Sequence, residues 1–300
     1  MADTLRVVVG GASGFLGVPL VDELRDRGHS VTRLVRGGAE DADASRWDPY
    51  SGDLDQRLID DADVVINLSG APISRWPRTA SYREKILSSR VAATSTLARA
   101  VARSKRPAAM LSASGMSYYG ADRGDTVLRE SATAGEGFLA TVSQQWEAAA
   151  RPAVDAGSRV CFLRTSLVLD ESGGALKLMA IPFRRYGGAV LGSGDQYMSY
   201  ISRRDWVRAV VHLAEGDVSG PVNLATADPV TNRQFTKALA EAVDAKAFLK
   251  APAPALKLAL GGLSDELLGS LRLEPMALSQ AGFRFDAPDI ESTLGLGLKS

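Results

Sequence analysis

The 300-residue sequence predicts an α/β fold in which a doubly wound parallel sheet is followed by a smaller C-terminal lobe. Short apolar runs alternate with longer segments of helical spacing, which is typical of parallel strands joined by helices. The runs are continuously apolar, as expected of strands that helices cover on both faces. A glycine-rich turn at residues 10–17 directly follows the first run and precedes an amphipathic segment. The fold is therefore expected to begin with a strand, a glycine turn and a helix.

Five apolar runs are predicted to form strands of the sheet: residues 5–9, 30–35, 64–68, 108–112 and 160–164. Segments with helical spacing, such as residues 82–104 and 137–156, separate the later runs. Further elements are predicted towards the C-terminus: a helix at about 204–215, a strand at 221–225, and helices near 231–243 and 264–269. We expect residues 1–170 to form the main domain, which the segment at about 200–225 rejoins. Residues 171–300 would form a smaller, substrate-side domain.

The glycine turn has the features of a cradle for a dinucleotide pyrophosphate. Gly11 and Gly14 let the backbone turn tightly and approach phosphates, and Gly17 lets the next helix pack closely on the strand. The N-terminus of that helix directs its free N–H groups towards an anion. A strand before the turn and a second strand after the helix provide the context of a dinucleotide site. The predicted cofactor-binding residues of this turn are Gly11, Ser13, Gly14, Phe15, Leu16 and Gly17.

The end of the second strand indicates which dinucleotide is bound. NAD sites usually carry an acidic residue there, which accepts hydrogen bonds from the ribose 2′-hydroxyl and repels a 2′-phosphate. This strand ends in Val35 and Arg36, with Arg33 shortly before them. A guanidinium at this position would pair with a 2′-phosphate, so the sequence favours NADP(H) over NAD(H). The alternative is a solvated surface arginine.

The strand at residues 64–68 predicts a second stretch of the cofactor site. It runs into Ser69 and Gly70, where a small residue lets a cofactor pass over the backbone. We therefore predict that Leu68, Ser69 and Gly70 contact the cofactor.

Composition excludes several classes of protein. Lys plus Arg and Asp plus Glu both number 35, which argues against nucleic acid or a membrane surface as a partner. The single cysteine, Cys161, lies in an apolar run, and its isolation fits a reducing cytosol. The first residues predict a strand rather than a signal peptide, and the apolar patch at 255–263 is too short to cross a bilayer. His29 and His212 are too isolated in sequence to suggest a metal site. A cytoplasmic protein without a metal is expected.

Motifs along nearly the whole chain carry a resemblance to the extended short-chain dehydrogenase/reductase superfamily. They are Gly-Gly-Ala-Ser-Gly-Phe-Leu-Gly at 10–17, Trp47-Asp48-Pro49, Asn67-Leu68-Ser69-Gly70-Ala71-Pro72-Ile73, Ser89-Arg90-Val91, Ser112-Ala113-Ser114, Tyr118-Tyr119-Gly120, Trp146-Glu147, Gly192-Ser193-Gly194, Gly220-Pro221-Val222-Asn223 and Ala281-Gly282-Phe283. Within the superfamily the chain is most similar to an atypical subgroup labelled nucleoside-diphosphate-sugar epimerases. The resemblance implies a Rossmann-like cofactor domain, a smaller substrate domain, an NADP-type cofactor in the cleft between them, and Arg90 near that cofactor. Dimers are common in the superfamily, so a homodimer is compatible with it.

The catalytic helix departs from the superfamily pattern. Typical members use a tyrosine and a lysine four residues later, and the lysine lowers the tyrosine pKa so that the phenol acts as an acid or base. Counting back from Glu147 places Leu139 at the tyrosine position and Ser143 at the lysine position. Neither side chain can perform that chemistry.

Hydroxyl groups near the end of the fourth predicted strand are the remaining candidates for the chemistry. Ser112 is predicted to lie beside the cofactor and Ser114 to orient a substrate; the alternative is that these serines only satisfy turn N–H groups. Tyr118 and Tyr119 follow in the same loop and are the remaining acid or base candidates. The alternative for the two tyrosines is an aromatic lid that packs over the ligand.

A second departure concerns the substrate. Sugar-nucleotide epimerases usually carry an arginine after the Gly-x-Gly turn that pairs with the substrate diphosphate, but this chain has Met198 there. A thioether cannot pair with a phosphate, although Arg203 and Arg204 lie close by in sequence. We therefore expect an NADP-dependent oxidoreductase or epimerase that acts on a small polar or carbohydrate-like molecule. The alternative is a non-enzymatic NADP-binding or sensing protein with a degenerate catalytic helix.

Overall fold

The computed structural model describes residues 4–38, 41–75, 77–260 and 263–298. The strands are β1 (Arg6–Gly10), β2 (Ser30–Val35), β3 (Ala44–Asp48), β4 (Asp53–Leu54), β5 (Val64–Asn67), β6 (Ala109–Gly115), β7 (Val127–Leu128), β8 (Val160–Thr165), β9 (Leu167–Asp170), β10 (Gly188–Leu191), β11 (Tyr197–Met198), β12 (Tyr200–Ser202), β13 (Gly220–Leu224), β14 (Val230–Thr231), β15 (Ala247–Ala251) and β16 (Arg272–Leu273). The helices are α1 (Gly17–Asp26), α2 (Gln56–Asp60), α3 (Ala80–Arg103), α4 (Phe138–Ala148), α5 (Arg151–Asp155), α6 (Gly174–Tyr186), α7 (Arg203–Glu215), α8 (Asn232–Ala242), α9 (Ala253–Leu260), α10 (Leu263–Leu268), α11 (Met276–Gln280) and α12 (Ile290–Gly297). A turn of 3₁₀-helix lies at Met116–Tyr119.

Within the described residues, eight strands form one large sheet in the order β4, β3, β2, β1, β5, β6, β8 and β13. β1 pairs in parallel with both β2 and β5, and Gly10 lies opposite Leu34 on one side and Asn67 on the other. The carboxyl ends of these three strands therefore meet at one edge, which is where α/β sheets bind ligands. The predicted α/β fold built on a parallel sheet is confirmed.

The edge of the sheet contains a hairpin that the sequence analysis did not predict. β3 pairs in parallel with β2, and β4 returns antiparallel to β3. Trp47 is buried, whereas Arg46 and Asp48 on either side of it are exposed. A single large apolar residue between polar neighbours gives a short edge strand too little apolar pattern to be recognised from sequence.

The segment predicted to be helical at residues 137–156 forms two helices, α4 and α5, and not one. Pro152 lies in the first turn of α5, where its missing N–H would have no partner within the helix in any case. Inside one continuous helix the same proline would remove a hydrogen bond and clash with the preceding turn. The chain therefore ends α4 and starts α5.

The chain divides into two compact units, each made of three segments. Unit 1 comprises Met1–Ser114, Thr141–Leu163 and Val207–Pro221. Its core lies around buried side chains of the sheet and the helices beside it, among them Ile59, Val65, Leu97, Met110 and Val160. The predicted strands at the start of the fold contribute to this core, so unit 1 carries the glycine turn on a well-packed sheet.

Unit 2 comprises Gly115–Ala140, Arg164–Trp206 and Val222–Ser300. Short strand pairs organise it: β9 with β12 and β10 with β15 run parallel, and β11 with β14 runs antiparallel. Its core includes the buried side chains of Leu169, Tyr200, Phe235 and Leu294. A capping box of Thr231 and Gln234 starts α8.

Candidate functional site

A cavity of about 670 Å³ opens at the edge where β1, β2 and β5 end. We call it the glycine-turn cavity. Five pieces of unit 1 line it: the glycine turn, the end of β2, the end of β3 with the turn after it, the loop that follows β5, and one side of α3. The described lining residues are Gly11, Ala12, Ser13, Gly14, Arg33, Leu34, Val35, Arg36, Gly37, Trp47, Pro49, Tyr50, Leu68, Ser69, Gly70, Ala71, Pro72, Arg75, Tyr82, Lys85, Ser89 and Ala93.

The glycines of the turn are required by close backbone packing. Gly11 has φ of +80°, and a Cβ atom there would lie 2.7 Å from the carbonyl carbon of Leu68. A Cβ at Gly17 would lie 2.2 Å from the backbone oxygen of Gly11, so only glycine allows α1 to begin so close to the turn. At Gly14 a Cβ would meet only the Gly11 oxygen, at 3.3 Å, and Gly14 faces the cavity. The turn therefore exposes backbone to the cavity at Gly14.

Eight of the thirteen predicted cofactor-binding residues line the cavity: Gly11, Ser13, Gly14, Val35, Arg36, Leu68, Ser69 and Gly70. The other five, Phe15, Leu16, Gly17, Arg90 and Ser112, are not among its lining residues. Gly17 is buried against the turn, and Ser112 is fully buried on β6 opposite Asn67. The structure therefore brings the carboxyl ends of β1, β2 and β5 together at one cavity.

The two arginines at the end of β2 differ in their electrostatic state. Arg33 donates to Asp41 at 2.7 Å and to both carboxylate oxygens of Asp43, at 2.7 and 3.0 Å. Arg36 is exposed and has no acidic partner in the described part of the chain. The charge of Arg33 is thus offset by neighbouring carboxylates, whereas that of Arg36 faces the cavity and solvent without compensation.

Arg90 lies on α3, and its guanidinium makes hydrogen bonds and a ring contact within the protein. Its side chain is buried, its Nη1 donates to the backbone oxygens of Ala71 at 2.9 Å and Ile86 at 3.1 Å, and its guanidinium stacks 4.7 Å from the ring centre of Trp146. Burial lowers the pKa of Arg90 to about 10, so it keeps its charge at neutral pH. The guanidinium carbon lies 3.0 Å from where a Cβ of Gly70 would be. Arg90 therefore fixes the loop after β5 to α3 through its hydrogen bond to Ala71.

Three residues of the cavity that the sequence analysis did not identify come from the segment after that loop. Arg75 and Lys85 are exposed cations, and the buried ring of Tyr82 lies between them in sequence. The Tyr82 hydroxyl donates to the Pro72 oxygen at 2.7 Å, which ties the loop to α3. No local motif marks these residues, because they reach the cavity only through the path of the chain after β5.

Ser114 lies at the end of β6 and is buried. Its hydroxyl donates to Oε1 of Glu147 on α4 at 2.7 Å. One residue earlier on α4, the indole N–H of Trp146 donates to Thr94 at 2.9 Å, and Asn67 donates to the same hydroxyl at 2.8 Å. These bonds anchor the C-terminal part of α4 on α3 and β5.

Leu139 and Ser143 lie four residues apart on α4, at the positions where typical members of the superfamily carry a tyrosine and a lysine. Leu139 is half-buried and Ser143 is buried. The helix therefore carries neither a phenol nor a cation at these two positions, and the chemistry of the usual pair is absent from it.

A second polar site lies in unit 2, and we call it the Arg164 cluster: Tyr118, Tyr119, Glu130, Arg164 and Asn223. The buried guanidinium of Arg164 donates to the Tyr119 hydroxyl at 3.0 Å and to the Glu130 backbone oxygen at 3.1 Å. Tyr119 is fully buried and its hydroxyl donates to Asn223 at 2.7 Å. The Arg164 guanidinium lies 3.5 Å from the ring centre of Tyr118, which is half-buried.

Burial raises the pKa of Tyr119 above its usual value, although the charge of Arg164 and the hydrogen bonds from Arg164 and to Asn223 act in the opposite direction. Tyr119 is therefore a neutral phenol at physiological pH. The two tyrosine rings meet edge to face, with centroids 5.5 Å apart.

The arginines near Met198 are paired with carboxylates. Arg203 lies 2.9 Å from buried Asp170, and Arg204 lies 2.9 Å from Asp286. The Met198 sulfur accepts a hydrogen bond from the Asn232 side chain at 3.4 Å. Arg203 and Arg204 thus each have an acidic neighbour in unit 2.

Comparison with known proteins now identifies the family. Residues 7–225 match the model of the NAD-dependent epimerase/dehydratase family, and residues 251–295 match a domain of unknown function, DUF1731. The chain belongs to the NAD-dependent epimerase/dehydratase family. The resemblance to extended short-chain dehydrogenases that the motifs predicted is confirmed.

Relatives in this epimerase/dehydratase family match nearly the whole length of this chain. An epimerase family protein of Mycobacterium bovis is 40% identical over 291 residues, which cover 96% of each chain. The structure of the human epimerase family protein SDR39U1, solved with NADPH, has a TM-score of 0.87 and 28% identity, covering 99% of this chain and 100% of that one. A Corynebacterium glutamicum structure described as a nucleoside-diphosphate sugar epimerase has a TM-score of 0.81 and 34% identity, and covers 99% of this chain and 59% of that one.

Three further observations concern metal ligands, the single thiol and the helices of this family member. The described residues contain no group of three or more His, Cys, Asp or Glu side chains placed to hold a metal ion. Cys161 is buried and donates to the Val218 oxygen at 2.9 Å, and burial raises its pKa to about 11. None of the helices in the described ranges combines the length and apolar character that crossing a bilayer requires.

Proposed function

We propose that this epimerase/dehydratase family member binds NADP(H) in the glycine-turn cavity and uses it as an oxidoreductase or epimerase on a small polar or carbohydrate-like substrate. The observation that carries the proposal is Arg36, an uncompensated cation at the end of β2 where NAD sites usually have an acid. The human relative was solved with NADPH, which supports the same cofactor class.

The cavity fits a phosphorylated dinucleotide in shape and in charge. Gly14 exposes backbone where a phosphate would approach, and its position just before α1 favours an anion. The described lining contains no Asp or Glu, although the whole chain has as many acidic as basic residues. A bound nicotinamide cofactor supplies hydride chemistry, and the residues of this chain have to hold it, orient the substrate and provide a proton.

We assign substrate orientation to Ser114 and proton transfer to Tyr118. Ser114 would orient a substrate oxygen while Glu147 accepts its proton in a hydrogen bond. Tyr118 would act as acid or base, because its hydroxyl makes no hydrogen bond within the described residues. The contacts of Tyr119 support a structural role instead, since its hydroxyl is buried between Asn223 and Arg164.

A nucleoside diphosphate is not the substrate class that we favour. Met198 cannot pair with a phosphate, and Arg203 and Arg204 are each held by an aspartate. A neutral polar molecule requires neither of these cations. A cytoplasmic location belongs to the same proposal, because the one thiol of the chain is buried and unpaired.

Titration of the apoprotein with NADPH and with NADH tests the cofactor assignment. Arg36→Ala is expected to weaken NADPH binding roughly 10- to 100-fold and to leave NADH binding unchanged, because only NADPH carries the 2′-phosphate. Arg46→Ala, an exposed arginine on β3 outside the cavity lining, is the matched control and should change neither. Equal affinity of the unmodified protein for the two dinucleotides would show the assignment to be wrong.

A second candidate is an NADP-binding sensor without turnover, which Leu139 and Ser143 favour because α4 lacks the usual acid and its cation. The two candidates differ in whether NADPH is consumed. Steady oxidation of NADPH in the presence of a carbonyl compound, reduced by Tyr118→Phe without a change in NADPH affinity, would exclude the sensor. NADPH binding without turnover over a broad panel of carbonyl compounds and sugars would favour it.

A further inference from the structure

The glycine-turn cavity contains more positive charge than one 2′-phosphate requires. Four cations line it, Arg33, Arg36, Arg75 and Lys85, and its described lining has no acidic side chain. Arg33 is neutralised by Asp41 and Asp43. In the described part of the chain Arg75 and Lys85 have no acidic partner. Two cations therefore remain after Arg36 has been assigned to the 2′-phosphate.

These two cations lie on the other side of the glycine turn from Arg36. Arg36 follows β2, whereas Arg75 and Lys85 follow β5, and β1 lies between β2 and β5 in the sheet. Neighbouring strands are about 4.8 Å apart, so the ends of β2 and β5 are separated by roughly 10 Å. Cations of the two groups can therefore engage separate phosphate groups of one extended ligand.

The surroundings of Arg75 and Lys85 are suited to an anion. Both residues also line a second cavity of about 430 Å³, together with Pro77, Thr79, Ser81 and Tyr82, which adds two hydroxyl groups and no acid among the residues described there. The 24-residue helix α3 begins at Ala80, so the positive end of its dipole lies at this cavity. Arg75 stacks on the Tyr82 ring, with 4.9 Å between the guanidinium carbon and the ring centre.

Tyr82 links Arg75 to the loop that follows β5. Its ring is buried and its hydroxyl is bonded to the Pro72 oxygen, so the ring on which Arg75 stacks is tied to the loop that lines the main cavity. The backbone N–H of Tyr82 donates to the Thr79 hydroxyl at 3.3 Å, which caps α3. Arg75, in the loop before α3, and Lys85, on α3 itself, thus both line the two cavities near the start of this helix.

We propose that Arg75 and Lys85 form a second phosphate subsite, separate from Arg36, that binds a diphosphate or phosphate group of the ligand in the glycine-turn cavity. The pyrophosphate of a dinucleotide carries two negative charges, and the glycine turn offers it backbone groups but no cation. Arg75 and Lys85 supply those charges. The identity of the ligand rests on the proposed function, whereas the existence of the subsite does not.

Binding measurements on the full chain test the subsite with Arg75→Ala, Lys85→Ala and, as a matched control, Arg99→Ala on the exposed side of α3. Each protein is titrated with NADPH, NADH and inorganic pyrophosphate. We expect Arg75→Ala and Lys85→Ala to weaken NADPH and NADH by the same factor, roughly tenfold or more, so that the preference between the two is kept. Arg36→Ala should change that preference, which separates the two phosphate positions.

The remaining outcomes are equally definite. If both dinucleotides bind the variants normally but inorganic pyrophosphate no longer binds the NADPH-loaded protein, the subsite takes a phosphate from a separate molecule. If dinucleotides and pyrophosphate bind Arg75→Ala and Lys85→Ala as they bind the unmodified protein, or if Arg99→Ala weakens them equally, the subsite does not exist. If the unmodified protein binds neither dinucleotide, the proposed function fails, and pyrophosphate titration of the apoprotein still decides the subsite.

Discussion

The glycine-turn cavity and the Arg164 cluster contain similar side chains, but the cations of the cavity are mostly exposed whereas that of the cluster is buried and hydrogen-bonded. In the cavity, Arg36 and Lys85 are exposed and have no acidic partner among the described residues. In the cluster, Arg164 is only 3% exposed, donates to a tyrosine and a backbone oxygen, and stacks on a second tyrosine. Both regions combine cations with aromatic rings and hydroxyl groups, but they differ in the burial of the cations and in the partners of those cations.

The difference separates binding from folding. A buried polar group must find its hydrogen-bond partners within the protein, because an unpaired buried group lowers the free energy of unfolding. An exposed cation without a partner adds little to stability and is free to bind an anionic ligand. We therefore expect changes in the Arg164 cluster to act mainly on stability, and changes in the cavity to act mainly on affinity.

The largest effect on stability is expected from Arg164→Met. It removes the charge-assisted hydrogen bonds to Tyr119 and Glu130 and the cation stacked on Tyr118, so the free energy of unfolding should fall by about 3 kcal/mol. Urea titration followed by circular dichroism measures it. Arg204→Met is the control, because that arginine is exposed and its pair with Asp286 contributes at most about 1 kcal/mol. Equal losses for the two variants would contradict the comparison.

A smaller loss is expected from Tyr119→Phe, about 1–2 kcal/mol, because the change leaves the Asn223 side chain and Arg164 without the hydroxyl that joins them. Tyr118→Phe is the matched control. The Tyr118 hydroxyl has no hydrogen bond in the described structure, so this variant should change the free energy of unfolding by less than about 0.5 kcal/mol. A greater loss for Tyr118→Phe than for Tyr119→Phe would reverse our assignment of the two residues.

The pH dependence of stability tests whether Tyr119 is buried as a neutral phenol. Burial raises the pKa of Tyr119, so the folded protein retains this proton at a pH where the unfolded chain has begun to release it near pH 10. Because the unfolded state then binds fewer protons, the stability from neutral Tyr119 is complete below pH 10 and is lost as pH rises through the folded pKa. Unfolding of Tyr119→Phe between pH 8 and 11 should therefore depend less on pH. Parallel curves for the two proteins would rule out this contribution.

The smallest effects on the apoprotein are expected in the cavity. Arg36→Ala and Lys85→Ala should change its free energy of unfolding by less than about 0.5 kcal/mol, because both side chains are exposed. The stabilisation by added NADPH should nevertheless fall, by about 1.4 kcal/mol for each tenfold loss of affinity at saturating ligand. Thermal unfolding with and without NADPH measures both quantities. Unfolding of either apoprotein variant would mean that the cavity cations are structural.

Local patterns were sufficient to predict most of the sheet. The strand at Ser30–Val35 and the start of the fold follow from continuous apolar runs and from glycines that close packing requires. The hairpin β3–β4 escaped prediction, because one tryptophan between polar residues is a weak signal. Pro152 was the signal that could have divided the segment at residues 137–156 into two helices, since proline is favoured in the first turn of a helix.

The candidate site could be predicted only where the chain brings its residues together locally. Gly14, Val35 and Gly70 could be predicted as cofactor-site residues because each lies at the end of a strand predicted from sequence or in the turn that follows it. Arg75 and Lys85 could not, since nothing near them in sequence shows that the chain returns to the same cavity. Their contribution depends on the position of α3 beside the loop after β5.

The sequence by itself determined the turn, the strands before and after it along the chain, and the loss of the tyrosine and lysine, because these depend on residue types at short spacing. Only the tertiary structure decided which polar groups are available. Arg33 and Arg36 look alike in sequence, yet Asp43 neutralises the first. Tyr118 and Tyr119 are neighbours, yet only the second is bonded to Asn223, 104 residues away. The availability of a charge or a hydroxyl is set by partners distant along the chain, and folding alone brings them within reach.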